Sequence, residues 1–287
     1  MIVDAHTHIY PAWLRERRQE YLERDATFGA LYGNPTAKMA TAEELVAAMD
    51  AAGVDVAVVL GLGWSDPGLA RECNDYLAEA AGRFPQRLVP FCSVNPAWGD
   101  AAAYEAERCA RMGARGVGEL HPDTQGFDFG SREVMQPLVE TVERLGLLLL
   151  THSSEPVGHQ YPGKGTTTPE VLMRFISHFP SVTLICAHWG GGLPFYALMP
   201  EVAAASQNVY FDTAATPLLY DPRVFPVVTQ LITASHILLG TDYPLLAQRR
   251  AVEQVHRAPL SKEEREAILG GNAARLLGLS PLEPANP

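Results

Sequence analysis

Ile2-Val3-Asp4-Ala5-His6-Thr7-His8 is the stretch on which the fold turns. A β-branched run this near the start reads as a first strand. In an open doubly wound sheet the residues closing that strand would be a glycine-rich nucleotide loop, and here the place holds a carboxylate and two imidazoles instead. Working outward, short β-branched or leucine-rich runs alternate with longer amphipathic ones, and each short run ends in polar or glycine-rich residues before a helix begins. That is the signature of βα repetition and a parallel sheet. Strands are predicted at 2–8, 54–60, 88–94, 115–120, 147–152, 183–188, 209–213 and 237–242. Thr41 with Glu44 and Ser261 with Glu264 form capping boxes, and Asp66-Pro67 and Thr168-Pro169 place a cap before a first-turn proline. Gly53, Gly113, Gly146 and Gly278 stand where helices should stop. Eight strand-helix units in 287 residues predict an α/β fold, a single (β/α)8 TIM barrel occupying 1–287 as one domain, with its C-terminal helix at 261–279. Residues 10–40 form an insert after strand 1, and 153–168 a long loop, both expected over the active-site mouth.

With 47% hydrophobic and 19% charged residues the chain can bury a large core, which excludes disorder, collagen-like repeats and a small disulfide scaffold. Lys+Arg 22 against Asp+Glu 33 leaves a net charge of −11, so phosphate backbones and anionic membranes find nothing general to hold. A small-molecule substrate is the expected partner, with no nucleic acid and no membrane. The basic run from Arg15 to Arg18 is interrupted by Glu16 and followed by Glu20 and Glu23, the pattern of a solvated helix face. Cys73, Cys92, Cys109 and Cys186 lie far apart with no C-x-x-C pair and read as free buried thiols of a reducing compartment. The opening residues carry no basic and apolar leader pattern, so a cytoplasmic location is expected. A homodimer is expected only on the argument that Trp13, Tyr21, Phe28 and Tyr32 leave aromatics exposed in the insert.

Alternate residues of a strand share a face, so Asp4, His6 and His8 point one way. Polar groups inside a barrel cost several kcal/mol unless hydrogen-bonded or metal-bound. Four further predicted strands deliver a ligand-type residue at their C-terminal ends, where barrel active sites are built: Glu119, His152, His188 and Asp242. His178, His236 and His256 fall before strands or in the last helix and read as structural or surface residues. His121 reads either as a polar loop residue or as a substrate contact, and His159 and Lys164 lie in the long loop. Trp64 and Trp189 are candidates to stack on a planar substrate, with rim packing as the alternative for Trp64.

The ordered set Asp4-Ala5-His6-Thr7-His8, His152, Ala187-His188-Trp189-Gly190-Gly191, Gly240-Thr241-Asp242-Tyr243-Pro244 and the run from Ile268 to Leu277 resembles the amidohydrolase superfamily over nearly the whole chain. The resemblance is closest to its amidohydrolase-related branch, which mixes metal-dependent hydrolases with decarboxylases such as aminocarboxymuconate-semialdehyde decarboxylase. It implies a distorted TIM barrel holding one divalent metal, zinc first and Mn, Fe, Co or Ni as alternatives, on His6, His8, His152 and Asp242. His188 is then the non-ligand catalytic histidine, or a ligand to a second ion. Glu119 is the ambiguous member: a glutamate there resembles a binuclear deoxyribonuclease branch, in which it contacts metal. The first functional expectation is hydrolysis of an amide, lactone or ester by a metal-activated water, with Asp242 as general base and His188 polarising the carbonyl. The alternative is non-oxidative decarboxylation of an aromatic or muconate-like acid in the same site, with Lys164, Arg15, Arg17 or Arg18 holding a carboxylate. A metal-dependent nuclease and a non-catalytic metal-binding barrel rank below both.

Overall fold

The structure is a computed structural model that describes residues 1–280. Eight strands pair in parallel in chain order: β1 (Val3–His8), β2 (Val56–Leu60), β3 (Leu88–Cys92), β4 (Gly116–Leu120), β5 (Leu148–Thr151), β6 (Leu184–Cys186), β7 (Val209–Asp212) and β8 (Ile237–Leu238). The predicted α/β barrel is therefore the fold. β8 is shorter than the predicted 237–242, and closure is completed by backbone bonds outside it: Ala5 N donates to Leu239 O, His8 N to Tyr243 O, and Thr7 bridges Tyr243 in parallel. At least one helix follows each strand, from Ala42–Ala52 after β1 to Gln248–Arg257 after β8. The predicted capping boxes at Thr41/Glu44 and Ser261/Glu264 are both formed.

Period-two alternation sorts the strand residues. Val3, Ala5, Val56, Val58, Leu148, Leu150 and Leu238 fill the barrel interior, and Ala273 and Leu277 of the last helix (Asn272–Leu277) pack into the same cluster. Asn272 ties that helix to the carbonyls of Ala234 and Ile237, so it plugs the N-terminal end of the barrel and leaves the other end open. The helical segment predicted over 261–279 runs in three pieces, with a wide turn over Ala267–Gly271 between Lys262–Glu266 and Asn272–Leu277.

Residues 10–40 carry three short helices, Ala12–Glu16, Arg18–Leu22 and Ala26–Tyr32, and form a satellite core with the loop after β2. Tyr21, Phe28 and Tyr32 are buried in it and Trp13 is half-buried, which removes the exposed aromatics on which a homodimer was expected. Asp25 bolts the segment down: its carboxylate caps the third helix through Phe28 N and also accepts from Ser65 N, Ser65 Oγ and Asp66 N. It is fully buried, so Asp25→Ala strands several donors at once. The expected cost is about 3 kcal/mol of unfolding free energy, measured by urea denaturation, and a loss under about 1 kcal/mol would contradict this role. All four cysteines are buried and unpaired. Among the described residues no helix is long and apolar enough to cross a membrane.

Candidate metal centre and substrate cavity

Every ligand-type residue predicted at a strand end lies at the open rim. His6 and His8, two apart on β1, turn their Nε2 atoms to 3.2 Å from each other. Asp4 does not join them, contrary to the alternation argument, because the β1–β2 register shifts between Asp4 and Thr7. Its carboxylate accepts from Thr241 N (3.1 Å), Thr241 Oγ1 (2.7 Å) and Gln248 Nε2 (2.8 Å) and pins the residues after β8 to β1. Burial pushes that carboxyl up to about 6 against the pull of these bonds. Glu119 is brought inward by β4, where Gly118 has φ +150° and a side chain would meet Leu150 O at 2.5 Å. The predicted strand over 183–188 ends early, at Cys186. His188 and Trp189 then take left-handed backbone (φ 55° and 58°), continued by Gly190 and Gly191, where Cβ atoms would collide with Phe211 and the Ser154 carbonyl. Main-chain bonds compensate the cost of this conformation: His188 N donates to Asp212 Oδ1 at 3.0 Å, and the ring Nδ1 lies 3.2 Å from Ala214 O.

Glu119 is the hub. One oxygen, Oε2, lies 3.6 Å from His6 Nε2 and 3.5 Å from His8 Nε2. The other, Oε1, lies 3.1 Å from His152 Nδ1 and 3.6 Å from His188 Nε2. Two triads of donor atoms thus share one carboxylate, His6/His8/Glu119 and Glu119/His152/His188. Asp242 flanks the first, its Oδ1 3.6 Å from His8 Nε2 and 3.9 Å from His6 Nε2. Asp212, which the sequence reading passed over, holds His6 from behind, Oδ2 to Nδ1 at 2.8 Å, and is fully buried. The one available signal was that it closes β7 as the other ligand-type residues close their strands.

Burial opposes charge on His6, yet Asp212 and Glu119 raise its pKa well above the ordinary histidine value. Burial likewise lowers His188, but the hydrogen bond and charge of Glu119 bring it to about 9. Glu119 itself is pushed up by burial and pulled further down by His6, His152 and His188, ending well below the carboxylate range. With Nδ1 committed to Asp212, His6 turns Nε2 toward His8 Nε2 and the Glu119 carboxylate, and the proton that its raised pKa keeps there is the one a metal ion would displace. The nitrogen and carboxylate donors gathered here fit a divalent metal ion.

The cluster floors a cavity of about 530 Å³. Its floor carries His8, Glu119, His152, His188 and Asp242, and apolar wall comes from Leu31, Leu62, Leu218 and Leu245. His121 and His159 lie on the wall; the His121 ring stacks on His152 at 4.2 Å, and burial together with the charge of His152 lowers its pKa well below the ordinary value. Trp64, Trp189 and Lys164 are not on the wall. Trp64 is buried against Tyr10 and Phe28, Trp189 is buried against Phe225 with its indole N–H donated to Thr216, and Lys164 Nζ is occupied by the carbonyls of Val157 and His159. The arginines are spent as well: Arg15 pairs with Glu44, Arg17 with Glu20, and Arg18 caps the carbonyls of Pro35 and Ala37. Among the described residues the lysine on the wall is Lys38, at the end of the insert, which no spacing in the sequence singled out.

The sequence profile of the Amidohydrolase family matches residues 3–279. 2-Amino-3-carboxymuconate-6-semialdehyde decarboxylase of Dictyostelium discoideum is 25% identical over 76% of this chain and 70% of its own length. The 5-carboxyvanillate decarboxylase of Sphingomonas paucimobilis superposes with a TM-score of 0.78 at 18% identity, covering 97% of this chain and 99% of that one. A dihydroxybenzoic acid decarboxylase of Polaromonas sp. JS666, solved with manganese and the inhibitor 2-nitroresorcinol, superposes with a TM-score of 0.74 at 20% identity, covering 97% of both chains. The structural likenesses show the barrel, and the decarboxylase relative of Dictyostelium discoideum overturns the expectation of amide, lactone or ester hydrolysis in favour of the alternative weighed beside it.

Proposed function

The chain belongs to the amidohydrolase family, and from that premise we propose that it is a metal-dependent, non-oxidative decarboxylase of an aromatic or muconate-like carboxylic acid. The observation that carries the reading is a polar floor of imidazoles and carboxylates beneath apolar walls. Such a cavity suits a flat apolar body with one acidic end at the floor. The decarboxylases it resembles supply the reaction type.

His6, His8, Glu119, His152 and Asp242 would hold one divalent ion, and their mixed nitrogen and oxygen donors suit Zn²⁺ or Mn²⁺. When bound, the ion supplies positive charge that offsets Glu119 and Asp242 and draws the substrate's oxygens to the floor. The rest falls to the chain. His188 is fixed by Asp212 and Ala214, and Glu119 keeps it protonated, so Nε2 carries a proton within the cavity. That proton goes to the carbon bearing the carboxylate; the bond to the carboxylate breaks, its electron pair stays on carbon, and CO₂ leaves. Asp242, on the same floor, accepts a proton from a substrate hydroxyl and returns it. The apolar walls exclude water and favour loss of the carboxylate charge.

The test is CO₂ release from hydroxybenzoates and muconate-type acids by protein purified without chelator, with elemental analysis of its metal. Turnover that disappears on chelation and returns with Mn²⁺ or Zn²⁺ is expected. Metal-loaded protein that releases no CO₂ above blank while cleaving esters or lactones would overturn the reading.

A further inference from the structure

A pair of tyrosines sits beside this floor with a hydrogen-bond polarity that burial dictates. Tyr10, two residues beyond His8, and Tyr32, at the end of the third insert helix, place their hydroxyl oxygens 2.7 Å apart. Tyr10 is 2% exposed and makes no other side-chain hydrogen bond among the described residues. A buried hydroxyl proton without an acceptor is costly, so Tyr10 donates to Tyr32 and not the reverse. The Tyr32 oxygen then accepts, and its own proton is left to donate elsewhere. Tyr32 lines the cavity and Tyr10 does not. The rings cannot turn to evade this arrangement: Tyr32 is stacked on Phe28 at 5.0 Å, meets Tyr10 edge-on at 5.3 Å, and carries the Arg18 guanidinium at 5.7 Å from its ring centre. Tyr10 is in turn held edge-on to Trp64. A donor so fixed needs little reordering when a ligand arrives.

We infer that Tyr32 is a substrate-binding residue that donates its hydroxyl proton to an oxygen of the bound acid, and that Tyr10 is the positioning residue that orients it. The inference rests on the decarboxylase reading for the identity of the ligand, and on the hydroxyl pair for the contact itself. A hydrogen bond to a charged oxygen is worth about tenfold or more in affinity, whereas Tyr10→Phe leaves the Tyr32 proton in place and costs only its orientation. Tyr32→Phe is therefore expected to raise KM about tenfold with kcat within about threefold of wild type, and Tyr10→Phe to raise KM no more than about threefold. Metal content should be unchanged in both.

Binding of 2-nitroresorcinol, followed by calorimetry, gives a readout that needs no turnover: Tyr32→Phe should weaken it about tenfold, and Tyr10→Phe less. If wild type turns over no acid but binds the nitro compound with this asymmetry, the decarboxylase reading falls and the tyrosine assignment stands. Equal effects of the two substitutions, or an unchanged KM and Kd in Tyr32→Phe, overturn the assignment. Wild type with neither turnover nor binding overturns both.

Discussion

Replacing His188 by asparagine is expected to lower kcat for decarboxylation about 10³-fold while the metal content stays at the wild-type value. The size follows from the role proposed for the ring, since a positioned general acid contributes roughly 10²–10⁴-fold. Three contacts place that acid: the main-chain N–H on Asp212, Nδ1 on Ala214 O, and Nε2 facing Glu119 and His152. Asparagine keeps a polar side chain but has no proton to give at neutral pH. The protonated form is the active one, so kcat falls as pH rises toward the His188 pKa of about 9. Positive charge from a bound ion moves that limb down, never up. The limb should vanish in the asparagine variant. The competing role is ligation, because His188 also belongs to the second donor triad. Ligation predicts a different result: loss of an ion, seen by elemental analysis, with residual activity restored by excess metal. Activity within tenfold of wild type at full metal content would remove His188 from the proton path.

Much of this site was legible because a parallel barrel repeats one rule. Each strand ends at the same rim, so Glu119, His152, His188 and Asp242 could be read as neighbours although 123 positions separate the first from the last. The rule failed where backbone departed from it. Asp4 shares the parity of His6 and His8, but the register shift that follows it sends its carboxylate to Thr241 and Gln248. Trp64 and Trp189 stand beside rim residues, and only the packing of the insert and of Phe225 shows that both are buried. Asp212 was passed over because its value lies in a pairing 206 positions long, which no local pattern announces. Lys38 and Tyr32 reach the cavity from a connection whose helices are short and whose path is fixed by Asp25, and loop paths are what sequence periodicity says least about. The reaction is not legible in the ligand residues for a related reason: a His and carboxylate floor serves hydrolysis and decarboxylation alike, and the difference lies in the walls.

Asp212→Asn should weaken metal binding 10- to 100-fold, the usual loss when the carboxylate behind a ligating histidine is removed. One fully buried carboxylate serves two elements here, accepting from His6 Nδ1 through Oδ2 and from the main-chain N–H groups of His188 and Ala214 through Oδ1. An asparagine has the shape but only one acceptor oxygen, so its NH₂ must face either the ring N–H or the two main-chain N–H groups, a donor against a donor. If the amide oxygen stays with the main chain, His6 loses its partner and its preferred tautomer, and Nε2 is no longer the nitrogen reserved for the ion. The pH dependence separates this from simple destabilisation. Asp212 and Glu119 keep a proton on His6 despite its burial, and a metal must displace that proton. Affinity in wild type therefore still rises with pH above neutrality, by about tenfold per unit for one proton displaced. Without the Asp212 charge the proton leaves His6 at lower pH, so the variant's affinity should level off earlier, and at a lower plateau. Chelator competition from pH 6 to 9 measures both curves. A variant that melts earlier but traces the wild-type affinity curve would reduce Asp212 to a scaffold residue, whereas a lower and earlier plateau assigns it to the tuning of His6.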